Sequence, residues 1–545
     1  MAGHGSRPLR GLESTGQSSI KTGKFGRLFR WLPPGFQPRD SKDEDAIEKL
    51  LTQLATLMIS TEFNDRIDDE GEAFPDQAID EPEPDDENID IASGYTYLGQ
   101  FIDHDITFDP ASSLQQQNDP DALDDFRTPR LDLDSLYGRG PDDQPYLYDK
   151  TAGRLKFRLG PKNVGVAGQF RPDVLRTDDD TALIGDKRND ENKIVRQLQV
   201  LFLRFHNKIF DALAARFPAP ADQGPRFQET QRIVRWTYQY LVVHDYLRKH
   251  VCKQSVVDAI LPGAGEIEPH FRFYNPHSGC SFMPVEFSVA AFRFGHSMVR
   301  PSYKLNDIAK STAKFTSKAG KVVDFQRIPV FVAQSTKPTD AMNGFGEPLP
   351  DKWGIDWTFF FGKPPRQKKG VKQVPQPSYR IDATLVDPLG ALPEFVPSVG
   401  PTSPFSSLAF RNLMRGFRMG LPSGQAVAGI MGVKALSDQE LWQKKAEGDA
   451  IKVWPEGKAF FNASKQWLEG RAPLWYYILK EAEIHEKGHR LGEVGSRIVA
   501  ETLIGLIWFD HFSYLFQAPA WDPGKEGIAG LDKNLDMLKL TQFVG

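Results

Sequence analysis

Two cysteines in 545 residues, Cys252 and Cys280, are too few for a disulfide framework. One bridge between them is geometrically open, but two free thiols are the simpler expectation. No window approaches 18 consecutive apolar residues, so a membrane-spanning helix is excluded. The N-terminus carries charges and glycines and lacks the apolar run of a signal peptide. A soluble, cytoplasmic protein is therefore expected, with non-classical export left open and the stretch RLFRWLPP at 27–34 able to touch a membrane or a partner. Net charge is also small. Against 72 acidic residues stand 67 basic ones, a formal charge of -5 that marks neither nucleic acid nor an anionic membrane as the main partner.

What the chain has is apolar content, at 40%, and helical periodicity. Its length would allow two to four domains or one large α-rich unit. Apolar stripes at helical spacing run through 43–60 (Ile47, Leu50, Leu51, Leu54, Leu57 and Met58), 190–216, 228–250, 284–299, 405–415, 463–483 and 494–516. Strand-like alternation is scarce and there is no internal repeat. Pro- and Gly-rich connectors fill 255–283, 335–380 and 385–404, none with the character of a domain linker. The expectation is a mainly α protein: a flexible basic tail over 1–40, then one large helical domain over 41–545 with long loops and very little β. The tail reading rests on six Lys/Arg against one Glu in 1–38, and an acidic loop on thirteen Asp/Glu against one Arg in 65–90. Lys363, Arg366, Lys368, Lys369 and Lys372 read as a solvated basic loop.

The densest chemistry lies in GQFIDHD at 99–105. On a helix, Gln100 and His104 share one face, with Asp103 and Asp105 flanking it. One short helix could thus serve a pocket and a neighbouring cation. A second histidine, His296, sits in AAFRFGHSMVRP, where Gly295 leaves room for a flat ligand and Arg293 lies a turn earlier.

Five separated segments, in order, resemble the animal-type haem peroxidases of the peroxidase-cyclooxygenase superfamily. GQFIDHD resembles their distal-histidine motif and TPRLDLDSLYG at 128–138 their calcium loop. GDKRNDEN at 185–192 resembles the distal-arginine segment, FRFGH at 292–296 the proximal-histidine segment, and RNLMRGFRMGLP at 411–422 the segment with the proximal asparagine. LRFHNKIFDAL at 203–213 and the helices from 473 to 506 extend the likeness.

The resemblance implies His296 as axial ligand to haem iron and Asn412 as partner of its other ring nitrogen. Arg293 and Arg415 would pair with haem propionates. On the other face His104 would relay a proton across peroxide, Arg188 would stabilise the charge that builds as the O–O bond breaks, and Gln100 would position water, peroxide or a halide. Asp103 and Glu191 stand where the family forms ester bonds to haem, so the cofactor would be haem b or an ester-linked derivative. Asn192 lacks the sulfur that a sulfonium link would need. Asp105, Thr128, the Arg130 carbonyl, Asp132 and Asp134 match the Ca²⁺ site, which takes six to eight oxygens. The implied activity is reduction of hydrogen peroxide with oxidation of a halide, a pseudohalide or a small aromatic donor. Three other readings compete. A fatty-acid dioxygenase of the same superfamily would need a tyrosine where Arg293 stands. A metal phosphohydrolase would use the pairs His104-Asp105, His244-Asp245 and Asp510-His511. A non-catalytic adhesion or scaffold module would be expected to lose the distal or proximal groups that are present here.

Overall fold

The computed structural model describes residues 25–60, 86–107, 125, 127, 129–160, 162–164, 170–262, 268–276, 281–316, 322–324, 327–332, 337–346, 348–365 and 374–545. Helix accounts for about half of the chain and strand for little. Helix α1 (Ser41–Met58) starts where the Asp40 side chain accepts the N–H groups of Lys42 and Asp43, and it buries Ile47, Leu50, Leu51, Leu54 and Met58. Leu57 stays half-buried at the edge of that stripe.

Helix α2 (Gly94–Ile106) carries the 99–105 motif. Its first residue must be glycine for a steric reason: a Cβ at Gly94 would lie 2.5 Å from the Phe360 carbonyl oxygen, which accepts the Gly94 N–H at 2.8 Å. Helix α3 (Lys193–Ala212), capped by the Asn192 side chain, packs along α2 with Phe101 stacked on Phe202 at 5.0 Å. Helix α4 (Gln223–Leu241) runs without a break into a π-helical stretch, Val242–Val251. Helices α5 (Leu408–Arg418), α6 (Leu474–Glu486) and α7 (Glu493–Trp508) complete the core, and α1 packs on α5. Nearly every side chain of α7 is buried, as expected of a helix with apolar residues all round.

Strands occur only as short pairs among the described residues. Strand β1 (Phe25–Gly26) runs parallel to β3 (Met283–Pro284), and β2 (Glu87–Ala92) runs antiparallel to β4 (Pro377–Tyr379) just ahead of α2.

Several expected elements differ. The stretch 284–299 is not one α-helix: β3 is followed by a π turn, Glu286–Ala290, and a 3₁₀ segment, Ala291–His296. The pattern over 463–483 is split between Pro455–Leu468 and α6, because Gly470 takes a φ of +66° and Pro473 has no N–H to continue a helix. Likewise 494–516 ends at Trp508, with a separate turn at Tyr514–Gln517. The connector 255–283 holds most of a short helix, Gln254–Ile260.

The described part of the expected tail, 25–40, is packed rather than free. Phe25, Leu28, Phe29 and Phe36 are buried, and the Glu286 carboxylate accepts the N–H groups of Leu28 and Phe29 at 3.0 and 3.2 Å. Residues 1–24, most of the acidic loop, Cys280, and Arg366, Lys368, Lys369 and Lys372 of the basic loop lie outside the described residues.

Candidate active site

His104 is buried on α2, with its ring held from both sides. Asn189 Oδ1 lies 2.8 Å from Nδ1, while Asn189 Nδ2 donates to Gln199 Oε1 at 2.9 Å. With the Asn189 oxygen turned toward the ring, Nδ1 carries the ring proton and Nε2 keeps its lone pair. Glu191 Oε1 is 3.4 Å from that Nε2 and also accepts from the Gln100 amide. Gln100, His104 and Glu191 thus meet in one cluster.

Arg188 leaves the 3₁₀ turn Lys187–Asp190, which the Asp186 side chain caps. Its guanidinium donates to the His104 carbonyl at 2.9 Å and to Asp186 Oδ2 at 2.8 Å. Although burial opposes ionisation, the charges of Arg188 and Arg127 hold the Asp186 carboxyl well below the usual carboxylate range.

The segment 291–296 packs directly against α2. His296 Nδ1 is 2.8 Å from Asn412 Nδ2 on α5, and Asn412 Oδ1 accepts from Arg293 Nη1 at 2.6 Å. Since a guanidinium can only donate, it holds Oδ1 toward itself and turns the amide NH₂ toward His296. In that orientation Nδ1 accepts. Arg293 is further tied to the Ser288 carbonyl at 3.0 Å, and its own carbonyl accepts from Trp475 at 3.2 Å. Burial, with the Arg293 charge, pushes the His296 imidazole down to about 3, so the ring is neutral at any ordinary pH. Burial and the neighbouring Arg415 push Arg293 down to about 10, and Asp103 on α2 acts in the opposite sense. Asp103 and Arg293, from the two faces, therefore feel each other across the interior. Asp103 Oδ1 also accepts from Thr107 at 3.0 Å.

Arg293, Gly295 and His296 are only half-buried by surface, yet burial governs the electrostatics of both side chains. A Cβ at Gly295 would meet nothing within 4 Å. With Nδ1 engaged, His296 Nε2 is the nitrogen left for an axial ligand bond, and Arg293 and Arg415 supply cations for a dianionic edge. These residues fit haem. Ligation at Nε2 requires its proton to leave, or the Asn412 amide to turn over at the cost of its Arg293 bond.

Asp105, Asp132 and Asp134 bring carboxylate oxygens within 4.8 Å of one another. Asp105 also accepts from the Leu133 N–H at 3.1 Å and the Ser135 hydroxyl at 3.1 Å. Burial, and then the charges of Asp132 and Asp134, push its carboxyl well above the ordinary value, a repulsion that a bound cation would relieve. Thr128 lies outside the described residues, and the Arg130 side chain points to Asp510 at 3.8 Å. The histidine-aspartate pairs of the phosphohydrolase reading do not meet: His244 bonds Tyr514 at 3.2 Å and Asp245 bonds Tyr95 at 2.8 Å. Asp510 faces Arg130.

Sequence reasoning missed Asn189, Asp186, Arg127 and Glu394. Asn189 and Asp186 sit inside GDKRNDEN, where the signal was adjacency to Arg188. Glu394 lies on the connector 385–404, and burial and the Glu191 charge push its carboxyl up.

Residues 125–331 match the family model described as animal haem peroxidase. The mouse (Mus musculus) thyroid peroxidase is 27% identical over 182 residues, 31% of this chain and 19% of that protein. A peroxidase-like protein of Margaritifera margaritifera is 27% identical over 198 residues, 35% of this chain and 23% of that protein. The chain thus spans only about a fifth to a quarter of these relatives' length. Among solved structures, Dictyostelium discoideum peroxidase A shares the fold over 97% of this chain and 95% of its own, with a TM-score of 0.57 at 16% identity. An Oryza sativa fatty acid α-dioxygenase does so over 84% and 73%, with a TM-score of 0.54 at 14% identity. Residues 125–331 are thus similar to the animal haem peroxidase family, and the chain has the mainly α fold of its peroxidase and dioxygenase structural neighbours.

Proposed function

We propose that the protein is a haem-dependent peroxidase that reduces hydrogen peroxide and oxidises a halide, a pseudohalide or a small aromatic donor. The observation that carries this reading is the His104 ring, whose Nδ1 is held by Asn189 at 2.8 Å so that Nε2 is presented as a base. Haem, when bound, would supply the two-electron redox chemistry toward peroxide. His296 Nε2 and the Arg293 and Arg415 cations would hold and orient the cofactor. His104 Nε2 accepts a proton from one peroxide oxygen and returns it to the other, work typically worth ~10²–10⁴-fold. The Arg188 guanidinium keeps positive charge beside the developing anion. Gln100 donates into the same space. Asp103 and Glu191 would be the carboxylates that form ester links to the cofactor. Asp105, Asp132 and Asp134 form the proposed Ca²⁺ site, to which the Arg130 carbonyl would add a ligand, and the ion would anchor α2 next to His104. Arg293 stands where the dioxygenase reading needs a tyrosine, and this favours peroxidase chemistry.

The test is direct. Purified protein should show a strong Soret band and peroxide-dependent oxidation of iodide, bromide, thiocyanate or a phenol, and His104→Ala should keep the band while slowing the peroxide reaction by ~10²-fold or more. A colourless protein, or a His104→Ala variant that reacts normally, overturns the reading.

A further inference from the structure

One guanidinium links the acidic cluster to the distal arginine. Arg127, buried, donates through Nη1 to Asp134 Oδ1 at 2.9 Å and through Nη2 to Asp186 Oδ2. That same Asp186 oxygen accepts from Arg188 Nη2 at 2.8 Å, and Arg188 Nη2 also donates to the His104 carbonyl at 2.9 Å. The two loops concerned are pressed together at the backbone: a Cβ on Gly185 would lie 2.4 Å from the Ser135 carbonyl oxygen and 3.2 Å from that of Asp134. An unbroken chain of charge-assisted contacts therefore runs from Asp134 through Arg127, Asp186 and Arg188 to the backbone of the catalytic histidine.

We propose that Arg127 is a positioning residue that couples divalent-cation binding at Asp105, Asp132 and Asp134 to the hold on Arg188. The inference rests on reading that cluster as a calcium site. The physics is competition for shared carboxylates. A cation that draws on Asp134 weakens its attraction for Arg127, which then bonds Asp186 more fully and competes with Arg188 for the shared oxygen. The reverse holds by linkage. If Arg188 is removed, Asp186 keeps Arg127 as its remaining partner of the two, Arg127 is drawn off Asp134, and the cluster gains oxygen donors for the cation. Loss of a nearby positive charge also strengthens cation binding through space, but that part does not depend on Arg127.

A double-mutant cycle separates the two effects. Calcium affinity is measured by titration calorimetry on the purified full chain after chelation, for the native protein, Arg127→Leu, Arg188→Gln and the double variant. Arg188→Gln should tighten calcium binding by about fivefold or more, the low end of ordinary coupling between sites. In the Arg127→Leu background the same change should have less than half that effect on a logarithmic scale. Arg127→Lys, which keeps the charge but lacks the two-pronged geometry, should also lose the coupling, and it serves if Arg127→Leu fails to fold. Equal shifts in both backgrounds, no shift in either, or no calcium binding by the native protein overturns the proposal. Failure of the peroxidase reading shows separately, as a missing Soret band or missing peroxide turnover, neither of which the calorimetry requires.

Discussion

Replacing Asn189 by leucine tests the protonation logic of the site without touching any group that meets substrate. The substitution keeps a similar volume at a fully buried position and removes the acceptor 2.8 Å from His104 Nδ1. The ring proton on Nδ1 is then buried without a partner, at a cost of about 1–3 kcal/mol. That cost falls on one tautomer only. The ring with its proton on Nε2 is spared, and it cannot act as a base toward peroxide. At about 1.4 kcal/mol per tenfold, the competent fraction and the bimolecular rate constant for peroxide should fall by about 5- to 150-fold. Stopped-flow absorbance in the Soret region, with peroxide varied in excess, reads that constant directly, and haem content per chain should be unchanged. Asn189→Asp retains an acceptor and should keep most of the rate. A correctly folded, haem-loaded Asn189→Leu protein that reacts as fast as the native one would refute the assignment of Nε2 as the base.

The other expectations concern the cofactor and the pH dependence of stability. His296→Ala should lose stable haem, seen as a collapse of Soret absorbance relative to that at 280 nm, and full retention of a His-ligated spectrum would sink the axial assignment. Acidified organic solvent should leave haem on the protein after turnover with peroxide, and Asp103→Asn with Glu191→Gln should make it extractable; quantitative extraction from the native protein counts against ester links. Glu481 is buried and accepts the Val494 N–H at 3.0 Å, and burial pushes its carboxyl up to about 7. The folded state then binds more protons than the unfolded one between about 4.5 and about 7, so stability falls as pH rises through that window, by about 3 kcal/mol at most. Urea unfolding of Glu481→Gln across the window should show a flatter profile, and an unchanged slope would show that this carboxyl is not responsible.

The residues proposed to do the chemistry stood out in the sequence because their types and order are unusual: His104, Arg188, His296 and Asn412 are each embedded in short strings that packing alone does not call for. The long helices were legible for a different reason, since burial of one face imposes a 3.6-residue rhythm, as in α1. That rhythm carries no information about pitch, so the π and 3₁₀ turns of 286–296 read as plain helix. The split of 463–483 was signalled by Gly470 and Pro473 but masked by apolar residues on either side. Asn189 and Arg127 were hidden because a buried hydrogen bond between residues 85 apart, or a buried ion pair between residues 59 apart, leaves no local pattern. Polar residues in polar surroundings show their purpose only once the chain is folded over them.

The packed segment at 25–36 braces both halves of the proximal pair. Glu286, ten residues before His296, takes the N–H groups of Leu28 and Phe29, while Arg27 donates to the carbonyls of Met419 and Gly420 just past the end of the helix that bears Asn412, at 2.7 and 3.1 Å. These partners are separated by 258 and 392 positions. A clamp built from so early a stretch can close only after most of the polypeptide has been synthesised and has found its place, so loop-closure entropy delays it. Maturation of the His296–Asn412 side should thus be a late event in folding, and any cofactor held there should be captured only after this clamp has closed.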